Sequence, residues 1–579
     1  MGMTPKIYIT YEMVFEEKPK KIAEYLQVLD RDWLIKFAIH LIQSGEKYEL
    51  IKDYVSAFFC KDNISFVADV LSMLKKHTLP NPNDITNVIP RTYFIISEGT
   101  GLELLRQIFA IQTFVKNEPQ IIQEQNLFKA ILLINSHISE WNIPEEHNED
   151  GSLTELFYAK AFMCSFLNNY ERTYLMPEII ITFQFIKGYY FFKFCEQSKL
   201  REHLRLFLKR NGVAYWEQYL YNIIKLILYP LKYGKVFSII TLNDEGYGYT
   251  FLHSHSFPIS KIIALDENVD YNYFKSHPLI EIDNKTFMPI SAMLCINHLY
   301  KSIYFEFREI NNLLKDTEHF LFDRGLWTTL TTEFSEQYLF DMIIRRVLSR
   351  KHGVKLSDRE CKDIKKIGKE PDFYFRTGNN IFLFENKDVM INARTKSSGN
   401  YADIEEALKD KLITHSGIPQ LITNIERISS DNFIWDKKIP NHPRVYPILV
   451  LDDSSICLPG LNYILNDEFQ KQLKARNIKI KVHPLVVIEL DTLIAFLTDF
   501  ENGVIQLKDT IDGYYKYLKR CNSHVPPAEV LYEVFHMYNP FYTFISGEVL
   551  HRPFDDVLFG EICDEIKNVT DSVLKDMPK

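Results

Sequence analysis

The stretch PDFYFRTGNNIFLFENKD, Pro371 to Asp388, limits this chain more than any other. Two apolar runs flank a Gly378-Asn379-Asn380 turn signal, which reads as a β-hairpin. Side chains alternate along a strand, so Glu385 and Lys387 share one face while Phe382 and Phe384 take the other. With a two-residue loop at Gly378-Asn379, Asp372 lies opposite Glu385; a loop shifted by one or two residues puts it opposite Asn386 or Lys387. Every register gathers the charged groups at one end of the hairpin. Two further runs, Val445 to Leu451 and Pro484 to Leu490, are apolar without alternation, the mark of strands buried on both faces. Pro447 is tolerable there only near the start of its strand. The fold class expected is α+β or α/β, a mixed sheet core joined to a large helical region.

The remaining organisation follows from periodicity. Residues 1–235 read as a helical N-terminal region, with segments such as 32–39 and 107–115 at helical apolar spacing and an exposed loop at 143–151. The most apolar stretch, Pro177 to Cys195, carries Glu178, Gln184, Lys187 and Lys193, so a buried helix fits better than a membrane span. Residues 236–325 read as a small mixed module: a strand at 236–242 ending in Asn243-Asp244-Glu245-Gly246, a hairpin at 279–290, and a helix from Ser291 to about Leu314. The core is expected over 326–515, with helices at 331–348, 401–413 and, opened by Pro419, up to Ile428. Residues 516–579 read as a helical C-terminal region.

Net charge is −9, which argues against a general polyanion-binding surface and requires any nucleic-acid contact to be local. The eight cysteines form no C-x-x-C pair, which fits reduced thiols in a cytoplasmic protein better than a zinc site or a disulfide framework. There is no apolar signal core at the N-terminus and no G-x-x-x-x-G-K-[ST] phosphate loop.

Two carboxylates at one strand end repel unless a cation intervenes, and oxygen ligands suit Mg²⁺ or Mn²⁺. Such an ion polarises a phosphate and lowers the pKa of a bound water; a nearby lysine positions that water or stabilises the developing oxyanion. Pro371, Asp372, Glu385 and Lys387, with the two acids 13 positions apart, resemble the PD-(D/E)-x-K nuclease superfamily. The pattern E-x-K also occurs at Glu16-Lys18, Glu360-Lys362 and Glu565-Lys567, but none of these follows a Pro-Asp strand in an apolar hairpin. The resemblance covers about 326–490. It implies a restriction-endonuclease-like core, metal ligation by Asp372, Glu385 and the carbonyl of Asn386, and a water-positioning role for Lys387. It also implies a further acid on the preceding helix, for which Glu336 is the best match and Glu333 the weaker one, and a polar residue on a following helix, Gln420 or Lys411. The activity implied is Mg²⁺-dependent hydrolysis of DNA, in a setting such as restriction or antiphage defence. The alternatives are an RNA-cleaving member of the same fold and a non-catalytic binding or scaffold protein with a degenerate nuclease fold.

Between Arg345 and Lys369, ten basic residues stand against Asp358, Glu360 and Asp363, a net +7 inside an acidic protein. Arg345, Arg346, Arg350, Lys351 and Lys355 are candidate phosphate contacts beside the site, as are Arg394 and Lys396 in the loop after the hairpin; a solvated helix-loop face is the plain alternative. A protein partner or a homo-oligomer is compatible with the size of the non-catalytic part. His253-Ser254-His255 has ligand-like spacing on an expected strand, but no nearby acid or cysteine completes a set, so packing or surface histidines are expected.

Overall fold

The computed structural model describes residues 7–44, 47–76, 78–81, 84–90, 93–115, 118–168, 173–233, 238–242, 247–259, 271–519 and 536–576. It is a mixed helix-and-sheet protein. Six helices and six strands build the region of interest. The helices are α1 (Pro177–Gln197), α2 (Lys301–Leu313), α3 (323–347), α4 (Asp358–Lys365), α5 (Ile418–Ser429) and α6 (Leu461–Lys474). The strands are β1 (Val354–Ser357), β2 (Phe373–Thr377), β3 (Asn380–Lys387), β4 (Arg444–Leu451), β5 (Lys481–Val482) and β6 (Val486–Glu489).

These strands form one sheet. β1, β2 and β3 are antiparallel neighbours, β4 is parallel to β3, and β5 and β6 both run parallel to β4 along its far edge. The uninterrupted apolar run of β4 has a direct cause. Tyr446, Ile448 and Val450 enter one hydrophobic core while Val445, Leu449 and Leu451 enter another on the opposite face. Pro447 lies well inside the strand rather than near its start. β5 pairs with β4 only as far as Val445, and β6 begins at Ile448, so the proline falls where the neighbouring strand is interrupted and its missing N–H leaves no ladder bond unmade. An aromatic row crosses the sheet from Phe375 to Phe382, Tyr446 and His483, with stacked centroid distances of 5.6, 4.8 and 3.9 Å.

The hairpin register matches the two-residue loop. Thr377 pairs with Asn380 and Phe373 with Phe384, which sets Asp372 opposite Glu385. Gly378 takes φ +54°, a conformation that glycine reaches without steric cost.

The expected hairpin at 279–290 is present as Leu279–Asp283 and Thr286–Pro289. Of the strand expected at 236–242, Ile240–Thr241 is a strand, while residues 236–237 and the turn at 243–246 lie outside the described residues. His253 is on a helix, Tyr247–Ser254, not on a strand. The single helix expected from Ser291 is broken into Ala292–Ile296, a 3-10 turn Asn297–Leu299, and α2.

The packing crosses the boundaries expected at 235, 325 and 515. One core unites α1 with α3, the Phe373/Phe384 side of the sheet, and helical residues as far as Ile566. A second joins residues 9–134 to one face of the 279–290 hairpin, through Ile280 and Met288; Leu279 and Phe287 of the same hairpin face the first core. No described helix is long and apolar enough to cross a membrane. The described cysteines are all free, and Cys521 is outside the described residues.

Candidate metal centre at the end of the hairpin

Alternation on β3 turns Glu385 and Lys387 to one side of the sheet, and Asp372, the residue before β2, reaches the same point. Lys387 Nζ lies 2.7 Å from Glu385 Oε1 and 3.4 Å from Asp372 Oδ2. The backbone N–H of Asn386 donates to Asp372 Oδ2 at 2.7 Å, which fixes that carboxylate against the hairpin end. The Asp372 carbonyl accepts the Asp358 N–H at 3.0 Å, so the start of α4 is tied to the same point. Ser357 and Glu360 form a capping box that begins α4 there.

Glu385 is fully buried, and neither of its oxygens receives a well-aligned hydrogen bond although the ammonium is close. Burial first, and then the charge of Asp372, push its carboxyl well above the usual range. Glu336 responds in the same way: burial, then Asp372, raise it to about 8. Glu336 therefore belongs to the electrostatic cluster of Asp372, Lys387 and Asp358. Burial disfavours the charged Lys387, but Asp372 and Glu385 more than offset it and hold the ammonium protonated. An excess of carboxylates with orphaned buried oxygens is a donor set that fits a hard divalent cation; Lys387 supplies the only counter-charge within salt-bridge distance of Glu385 among the described residues. The group is recessed, with the Asp372 and Lys387 side chains 12% and 10% exposed.

The other expected residues are placed differently. Glu333 pairs with Lys199 at 2.6 Å, away from the cluster. The side chain of Asn386 is on the opposite face from Glu385, buried and without a hydrogen-bond partner. Gln420 caps its own helix, Oε1 accepting the Gly417 N–H at 3.1 Å. Lys411 sits in a π-helical turn, Lys409–Thr414, and makes no ion pair among the described residues.

Six of the seven candidate phosphate contacts are engaged within the protein. Arg345 is held by Asp341 and Glu360, Arg346 by Glu501, Arg350 by Asn502 and Lys351 by Gln506. Lys355 donates to the Leu348 carbonyl at 2.6 Å. Lys396 is 2% exposed, with Nζ 3.1 Å from Ser455 Oγ. Arg394 alone of the seven is exposed and makes no ion pair among the described residues. Local positive charge in sequence is here spent on partners brought in by the fold.

Two groups of supporting residues carried no sequence signal. On α5, Asn424 and Arg427 both donate to the Lys369 carbonyl, at 3.1 and 2.9 Å, and Arg427 also to that of Gly368. They pin the loop that delivers Asp372. Behind β3 lies a buried ionic network. Lys187 contacts Asp452 and Asp491 at 3.1 and 2.7 Å; Lys301 contacts Asp452 at 3.0 Å and also Asp388. Tyr300 donates to Asp452 at 3.1 Å. Burial, only partly countered by Lys301, raises Asp388 to about 7.

No protein-family model matches the chain, and no curated protein or solved structure matches it either.

Proposed function

We propose that the chain is a divalent-metal-dependent nuclease that hydrolyses phosphodiester bonds, with DNA as the favoured substrate. One observation carries the reading: Asp372, Glu385 and Lys387 converge at the end of a hairpin with Glu336 in the same electrostatic cluster. The strand order β1 to β4, with helices on both faces, supports a restriction-endonuclease-like core over 326–490. Asp372 and Glu385 would hold Mg²⁺ or Mn²⁺, assisted by Glu336 and the Asn386 carbonyl. When bound, the ion supplies Lewis acidity toward the phosphate and a more acidic water. Lys387 orients that water and opposes charge building on the phosphoryl oxygens. Asn386 N–H keeps the Asp372 carboxylate aimed at the centre.

The competing reading is a non-catalytic scaffold. It is favoured by the recessed position of the cluster and by the engagement of the neighbouring cations in internal pairs. Cleavage of supercoiled plasmid and of single-stranded RNA, with Mg²⁺ and Mn²⁺ titrated, separates the readings. Wild type is expected to nick plasmid, and Lys387→Ala and Asp372→Asn to lose on the order of 10²-fold or more in rate. Circular dichroism confirms that the variants fold. Cleavage of RNA alone selects the ribonuclease alternative. Inert wild type, or equal rates in Lys387→Ala, leaves the scaffold.

A further inference from the structure

His255, His298 and Glu306 come from three separate segments: the end of helix Tyr247–Ser254, the 3-10 turn Asn297–Leu299, and α2. One ligand atom from each lies within 4.8 Å of the others. The histidines are 1% and 2% exposed. The three atoms that face one another, His255 Nε2, His298 Nδ1 and Glu306 Oε1, are all buried and all lack a hydrogen-bond partner. Three unsatisfied buried polar atoms facing one another are costly unless something binds them.

The opposite ring nitrogens are fixed. His255 Nδ1 lies 2.8 Å from the Phe251 carbonyl and His298 Nε2 lies 2.7 Å from the Lys275 carbonyl. A carbonyl only accepts, so those nitrogens carry the protons and the lone pairs of the other two point inward. This is the outer arrangement that orients metal-binding imidazoles. His298 Nδ1 and Glu306 Oε1 are 3.5 Å apart. Ligands about 2.05 Å from a tetrahedral ion are separated by about 3.3 Å, so this edge already fits.

We propose that His255, His298 and Glu306 bind one first-row transition ion of the Zn²⁺ class. Two imidazoles and one carboxylate suit such an ion, whereas the all-oxygen cluster at Asp372 suits Mg²⁺. A water completes the coordination. The ion clamps the small sheet that holds Ser256–Pro258, with the helix Tyr247–Ser254, to α2, whose first residue, Lys301, reaches Asp388 and Asp452 behind the hairpin. Its role is structural, and it does not depend on the nuclease reading.

The test is elemental analysis of full-length protein purified without chelator or metal-affinity resin. Wild type and Asp372→Asn are expected to carry about one Zn²⁺ per chain, and His255→Ala and Glu306→Gln less than about a tenth of that. Chelator-treated wild type should melt earlier, recover on Zn²⁺ addition, and develop the visible bands of tetrahedral Co²⁺ when Co²⁺ is added instead. This last measurement needs no variant and so holds even where a substitution prevents folding. Wild type that carries no transition ion and neither regains stability with Zn²⁺ nor colours with Co²⁺ overturns the proposal. So does metal that survives in folded Glu306→Gln.

Discussion

At the scale of single residues, burial raises several carboxyls of this protein more than the neighbouring cations lower them. Glu385 and Glu336 show it at the candidate centre, where burial heads the causes that raise each carboxyl. Glu489 offers a case outside the candidate centre. Its oxygens accept from Tyr174 at 3.0 Å and Thr492 at 2.7 Å, yet burial raises it to about 7, with Asp491 adding to the rise. Tyr514, Tyr542 and Cys457 face it as well. A carboxyl raised in this way keeps its proton in the folded state after the unfolded chain has lost it. Folding stability contributed by this group is therefore complete below pH 4.5 and declines as pH rises to about 7. Gln cannot ionise, so Glu489→Gln removes that slope. The melting-temperature difference between wild type and variant should shift in favour of the variant between pH 4.5 and pH 8, by about 2–4 °C. Parallel curves across that range would show that Glu489 is not raised.

Among the elements, α1 approaches the 3-10 turn Asn297–Leu299 closely. A Cβ on Gly188 of α1 would stand 2.0 Å from the Leu299 carbonyl, which is backbone and has no room to yield. Gly188→Ala should cost about 1–3 kcal/mol, read by urea denaturation, because the helix must lift off the turn that carries His298. Gly560, in helix Val557–Asp576, has nothing within 4 Å of the same added atom. Gly560→Ala should be neutral or stabilising by up to about 1 kcal/mol, because alanine loses less conformational entropy on joining a helix. Similar losses in both variants would mean that the close approach at Gly188 is not tight. On α3 the expectation of simple helical spacing is altered. Thr329–Phe340 is π-helical, with a wider turn between Glu336 and the buried Leu339, Phe340 and Ile343. Glu336 still reaches the electrostatic cluster, although its phase was not derivable from a 3.6-residue period.

For the whole molecule, the main consequence of folding is that distant helices support the hairpin end. Lys187 comes from a segment that reads in sequence only as a charge interrupting an apolar run, and it ends fully buried between Asp452 and Asp491. Six residues further along the same helix, Lys193 pairs with Glu565 at the surface. Lys187→Met should destabilise by about 3–5 kcal/mol, since two aspartates lose their buried counter-charge. Lys193→Met should cost at most about 1 kcal/mol. Equilibrium unfolding of both variants checks the contrast, and equal values would remove the ionic network as a link between α1 and the sheet.

Much of the local structure was written in the chain. The Gly378-Asn379 loop, the alternation of Asp372, Glu385 and Lys387, the doubly buried β4 and the 279–290 hairpin all follow from short-range sterics and from which side chains avoid water. What only the tertiary structure decided concerns partners far apart in sequence. It consumed the cations Arg345 to Lys355 in internal contacts and used Gln420 as a helix cap. It brought Asn424 and Arg427 to the loop before Asp372, and joined His255 to His298 and Glu306. The periodicity of a segment fixes which face is buried. It holds no information about what that face meets, because the meeting depends on the packing of segments tens to hundreds of residues away.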